Sequence, residues 1–176
     1  MRNNCKIIMY HYVRPLKQSQ YSTIKGLELE GFERQIRYFK DNFSIISASQ
    51  MLNCVYREAD MPVNSVLLTF DDGLKDHYQH VFPILKKEKI QGLFFPPAKP
   101  IEQNCVLDVH KIHFILASCQ DTTLLKNEIF EFINKRKRQF NLLEPQKYYE
   151  KLSVMNRFDS GEIIFIKRIL QRELPR

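Results

Sequence analysis

Two adjacent carboxylates, Asp71 and Asp72, end the apolar run Val66-Leu67-Leu68-Thr69-Phe70 and are followed at once by Gly73. Side chains alternate across a strand, so both acids can serve one site only where the chain leaves the extended form, a turn that glycine permits. A carboxylate pair so placed can divide hydrolytic work. A carboxylate can hold a cation that polarises a carbonyl, and one within reach of water can accept its proton. Adjacent carboxylates also repel, and a bound cation relieves that repulsion. Taken alone, Asp-Asp-Gly reads as a solvated turn capping the next helix. Magnesium-dependent phosphoryl chemistry also uses adjacent aspartates after a strand, but no phosphate-cradling Gly-rich loop accompanies this pair.

Further metal donors would have to come from the histidines at 11, 77, 80, 110 and 113. His110 and His113 stand three apart, share a face on a helix and are candidate ligands. The segment Asp108–Ser118 is also amphipathic, with Val109, Ile112, Ile115 and Leu116 apolar and Asp108 as its cap, and then both histidines are interfacial. His11, near the end of the first apolar segment, reads either as lining a site or as a hydrogen-bonded strand end. His77 and His80 read as surface or helix-packing residues, His77 being near the turn.

Four strands are expected to position these groups: Cys5–Tyr10, Phe43–Ser47, Ser65–Phe70 and Gly92–Pro96. Helices near Phe32–Asp41, Ala48–Arg57 and Asp76–Lys89 alternate with them, the last with Tyr78, Val81, Phe82 and Leu85 as apolar positions. Such alternation predicts a parallel α/β sheet, with the acidic pair at a strand-to-helix junction where these folds build sites. Pro96, Pro97 and Pro100 mark a loop, and only helical patterns follow. They include Thr122–Lys137, with Leu125, Ile129, Phe132 and Ile133 apolar, and a last helix opened by Asp159-x-x-Glu162.

Thr69-Phe70-Asp71-Asp72-Gly73, followed by Tyr78, Pro83 and Leu85 and then by Gly92-Leu93-Phe94-Phe95, resembles the polysaccharide deacetylase family (NodB homology, carbohydrate esterase family 4). The opening Met9-Tyr10-His11-Tyr12-Val13 resembles the first strand of many members. The resemblance implies a metal-dependent hydrolase that removes N-acetyl groups from sugars of a surface polysaccharide or its precursor, with Asp71 as general base and Asp72 as ligand of a divalent metal, usually zinc. It also implies a His-x-x-x-His motif supplying two more ligands, and no two histidines here have that spacing. The expected fold is an incomplete (β/α) barrel of the NodB type, residues 1–100, with an all-helical insertion over 101–176 and the family's later motifs absent. The alternative is a non-catalytic truncated domain or assembly partner. An open barrel exposes strand edges and apolar surface, so self-association or a second chain completing it is expected.

The formal charge of +7 over 176 residues is partly local, in Lys135-Arg136-Lys137-Arg138. Cations at a helix C-terminus complement its dipole, so the run is expected to be a solvated helix end, and no nucleic-acid motif accompanies it. Cys5, Cys54, Cys105 and Cys119 show neither metal-finger spacing nor a disulfide framework. With no signal-peptide pattern and no run long enough to span a membrane, a cytoplasmic protein with reduced thiols is expected.

Overall fold

Strand β3 (Ser65–Asp71) is buried from Ser65 to Phe70, as an unbroken apolar run at the centre of a parallel sheet should be. Strand β1 (Cys5–Tyr10) pairs with it in parallel, from Cys5 opposite Ser65 to Tyr10 opposite Phe70. The other edge of β3 is shared. Strand β2 (Ser44–Ile45) lies against Ser65 and Val66, and β4 (Leu93–Phe95) lies against Thr69, Phe70 and Asp71, both in parallel. Helices α1 (Leu29–Asn42), α2 (Ala48–Val55) and α3 (Phe82–Glu88) alternate with these strands, giving the expected incomplete (β/α) barrel.

The computed structural model describes residues 4–119 and 121–175, which form two compact units, residues 1–103 and 104–176. In the first, Val66, Leu68 and Phe70 on one face of β3 pack with Tyr10, with Phe32 and Ile36 of α1, and with Val81 and Leu85. Tyr10 stacks on Phe70 at 5.2 Å between centroids, Phe32 meets it edge-on at 5.1 Å, and its hydroxyl donates to Gln35 Oε1 at 2.7 Å. On the opposite face of β1, Ile7 and Met9 are exposed.

Two predicted elements differ in a way the local chemistry explains. The strand expected over Phe43–Ser47 stops at Ile45 because Ser47 caps α2: its Oγ accepts from Gln50 N at 3.2 Å while its own N–H donates to Gln50 Oε1 at 2.8 Å, a capping box. In the helix after the acidic turn, Tyr78 and Phe82 are not on the buried face; they are 77% and 46% exposed and stack on each other. A π-type turn over His77–Val81 leads into α3, and the inward row is His77, Val81 and Leu85. Neighbours one residue along a helix lie roughly 100° round, which turns Tyr78 and Phe82 outward.

Helix α4 (Ala98–Gln103) stands where a proline-marked loop was expected. Pro100 falls in its first turn, where no intrahelical N–H is required.

The second unit comprises α5 (Asp108–Ser118), α6 (Thr122–Phe140), α7 (Pro145–Leu152) and α8 (Gly161–Arg168), the last continued by a π-type turn over Ile169–Glu173. Its core gathers Ile129, Ile133, Tyr148, Leu152, Phe165, Ile166 and Ile169. Two expected caps are displaced by one residue. Leu107 occupies the cap position of α5, and Asp108 pairs with Lys111 at 3.0 Å within the first turn. Ser160 caps α8 by accepting from Ile163 N, while Asp159 holds Lys167 at 2.7 Å. Glu162 accepts from Thr122 Oγ1 at 2.6 Å and faces Lys126 at 3.0 Å, contacts that hold its carboxyl below the usual range. In the basic run Lys135 pairs with Glu131 and Lys137 with Glu144, as a solvated helix end would. No helix among the described residues is long and apolar enough to cross a membrane.

Candidate active site

Asp71 is the last residue of β3, opposite Phe95. Strand alternation places it with Leu67 and Thr69, on the face away from the helix-packed Val66, Leu68 and Phe70. Asp72 then leaves the strand at φ +75°, and Gly73 follows at +58°. Asp is among the few non-glycine residues that tolerate this region. This left-handed step takes Asp72 out of the strand alternation that orients Asp71.

Gly73 is constrained twice. Its φ is positive, and a Cβ there would stand 2.7 Å from Pro96 Cβ and 3.0 Å from Pro96 Cα, so the acidic turn lies directly against the segment leaving β4. Gly73→Ala is expected to cost about 2–4 kcal/mol, combining the backbone conflict with overpacking. Urea denaturation measures this, and a loss below about 0.5 kcal/mol would show that the turn relaxes freely.

His11 lies just beyond β1, exposed, with Nε2 3.9 Å from Asp72 Oδ2. Its backbone carbonyl accepts a hydrogen bond from His77 Nε2 at 2.7 Å. His77 packs in the interior, as one of the two expectations for it held; it is 3% exposed, with Phe70 at 5.6 Å and Phe94 at 6.0 Å from its ring. His80 is half-buried on the same helical segment.

Three further residues join this end of the sheet: Tyr12, from the opening segment, and Arg14 and Asp76, which no motif identified. Arg14 Nε pairs with the buried Asp76 at 3.3 Å. Tyr12 is buried, and its hydroxyl is pushed up to about 12, chiefly by burial and then by Asp72 and Asp76, against the opposing pull of Arg14. A signal was available in the sequence: opposite charges follow two strands that must pair in parallel.

Tyr10 is likewise raised to about 12 by burial. The folded hydroxyls of Tyr10 and Tyr12 keep their protons to about pH 12, whereas the ordinary value is 10.0. This stabilisation is complete below pH 10 and declines as pH rises towards 12. Tyrosinate absorbance and far-ultraviolet circular dichroism, followed together in an alkaline titration, are expected to show these two tyrosines ionising as the fold is lost. Their ionisation near pH 10 in a folded chain would contradict this.

The donors that the structure brings together at the acidic turn are Asp72 and His11. His110 and His113 lie on α5 in the second unit, the first buried and the second half-buried. Among the described residues no group of three or more His, Cys, Asp and Glu side chains forms a metal site. A catalytic zinc ion takes three protein ligands, so the described residues do not fit a complete zinc centre.

Comparison with known proteins agrees with this fold. A solved de-N-acetylase from Aggregatibacter actinomycetemcomitans shares the fold at a TM-score of 0.51 and 21% identity, over 58% of this chain and 42% of that one. IcaB from Ammonifex degensii aligns at a TM-score of 0.45 and 29% identity, over 56% of this chain and 41% of its own. A curated relative, the putative polysaccharide deacetylase YxkH of Bacillus subtilis (strain 168), is 28% identical over 96 residues, which is 54% of this chain and 32% of that protein. The chain therefore spans about a third of the curated relative's length. Residues 58–131 match the model of the polysaccharide deacetylase family, and over that segment the chain is similar to it.

Proposed function

We propose that the chain acts as a polysaccharide deacetylase-like hydrolase on N-acetylated sugars of a surface polysaccharide or its precursor, with Asp71 as general base and Asp72 as the carboxylate that faces a divalent metal, zinc first. The observation that carries this reading is the turn itself: Asp71 ends the central strand and Asp72 follows it in a left-handed step with Gly73, within the segment that matches the family. Asp71, at the end of the strand, takes a proton from water as the water oxygen bonds to the acetamide carbon. The carbon–nitrogen bond then breaks, the nitrogen gains a proton, and acetate and a free amine result.

No step is assigned to a metal, because Asp72 and His11 are two donors where zinc takes three. Metal dependence requires donors beyond these. That same shortfall favours the second reading, a non-catalytic domain or assembly partner. The outer edge of β1 is where added strands or a second chain would pair to complete the barrel, and Ile7 and Met9, 57% and 60% exposed on its face, would then be covered.

Acetate release from N-acetylglucosamine oligomers, measured with added zinc, tests the proposal. Release that is lost in Asp71→Asn supports deacetylation by this chain. No release by the folded wild-type chain supports the non-catalytic reading, and release unaffected by the substitution removes Asp71 from the base role.

A further inference from the structure

A buried histidine that the proposed chemistry does not use stands behind the acidic turn. His77 is 3% exposed, and its side chain makes one hydrogen bond among the described residues, from Nε2 to the carbonyl of His11 at 2.7 Å. A carbonyl only accepts, so Nε2 carries the hydrogen. Nδ1 is buried, and no protein group among the described residues hydrogen-bonds to it. The ring lies edge-on to Phe70 at 5.6 Å and tilted to Phe94 at 6.0 Å.

These contacts involve all three strands that end at the site. His11 follows β1 and is the residue whose ring faces Asp72; Phe70 is the β3 residue immediately before Asp71; Phe94 belongs to β4, which leads to the prolines packed on Gly73. A single side chain therefore touches residues beside the acidic turn from all three strand ends, beyond the backbone pairing that stops at Tyr10 and Phe70. A flexible or purely apolar residue could fill the space but would leave the His11 carbonyl without this donor.

We propose that His77 is a positioning residue of the acidic site: its Nε2–H holds the His11 carbonyl and thereby fixes the separation of the His11 ring from Asp72. This rests on the reading of Asp72 as the metal-facing carboxylate for its consequence in binding, but not for the hydrogen bond itself. His77 touches no reacting atom in this account.

The test uses the full chain with His77→Gln, whose side-chain amide keeps a donor, and His77→Leu, which removes it. Long-range proton–nitrogen spectra of the wild-type imidazoles are expected to place the His77 hydrogen on Nε2; a hydrogen on Nδ1 alone overturns the proposal without any variant. The carbonyl carbon resonance of His11 is expected to shift in His77→Leu and to stay near its wild-type position in His77→Gln. Zinc titration should then show the Leu variant weaker by about tenfold, the lower end of what removing a group that orients a ligand costs, and the Gln variant restored to within about twofold.

An unshifted His11 carbonyl and unchanged zinc affinity in a folded Leu variant overturn the proposal. Absence of zinc uptake by the wild-type chain overturns the metal reading alone, and the His11 carbonyl then decides whether His77 positions that residue.

Discussion

Asp71→Asn is expected to lower deacetylation by about 10²–10⁴-fold, the usual contribution of a positioned general base, while changing stability by no more than about 0.5 kcal/mol. The substitution keeps the shape of the side chain and the strand pairing opposite Phe95, and removes only the capacity to take a proton. Asp71 is half-buried and faces away from the aromatic core, so its replacement leaves that core intact. Initial rates of amine release beside urea denaturation midpoints separate the two effects. Equal rates in the two proteins would show that the proton goes elsewhere, and a collapse of stability would show that the carboxylate is a structural group.

Phe70→Ala is expected to cost about 3–5 kcal/mol, a large part of the roughly 5–15 kcal/mol that holds a domain folded. Phe70 is fully buried and stacks on Phe94 at 4.9 Å and on Tyr10 at 5.2 Å, with Phe32 edge-on at 6.0 Å. The gap left by the ring cannot close easily, because its neighbours belong to a helix and to two strands, β1 and β4, that are held to β3 by backbone pairing. Even Gly92 is fitted to it, since a Cβ there would stand 2.6 Å from Phe70 Cε2. Urea denaturation is the measurement, with Phe70→Leu expected to lose less than Phe70→Ala. A loss under about 1 kcal/mol for the alanine variant would show that this cluster is not the centre of the first unit.

The parallel sheet was readable from the sequence because β1, β3 and β4 are apolar runs ended by polar or proline-rich turns, and such runs have one economical arrangement when helices alternate with them. The acidic turn was readable because a glycine after two acids on a strand has few other uses. The face of the helix after the turn was not. His77, Val81 and Leu85 form one row and Tyr78 and Phe82 the adjacent one at the same four-residue spacing, so periodicity does not choose between them; the first row is the buried one. The Arg14–Asp76 pair and the bond from His77 to His11 join residues more than sixty positions apart, and exist only once β1 and β3 pair. Ser47 carried two signals at once, the end of a strand and the start of a helix, and its capping box with Gln50 decided between them.

Zinc titration of the wild-type chain beside Asp72→Ala, followed by calorimetry, addresses the assignment of Asp72 most directly. His11 and Asp72 are the donors present at the turn. Half of the roughly 10–16 kcal/mol of a four-donor zinc site corresponds to a dissociation constant between about 1 μM and 0.2 mM. The account predicts wild-type binding within or weaker than that range, and its loss in Asp72→Ala. Binding of equal strength in the two proteins would place the metal elsewhere and contradict the assignment.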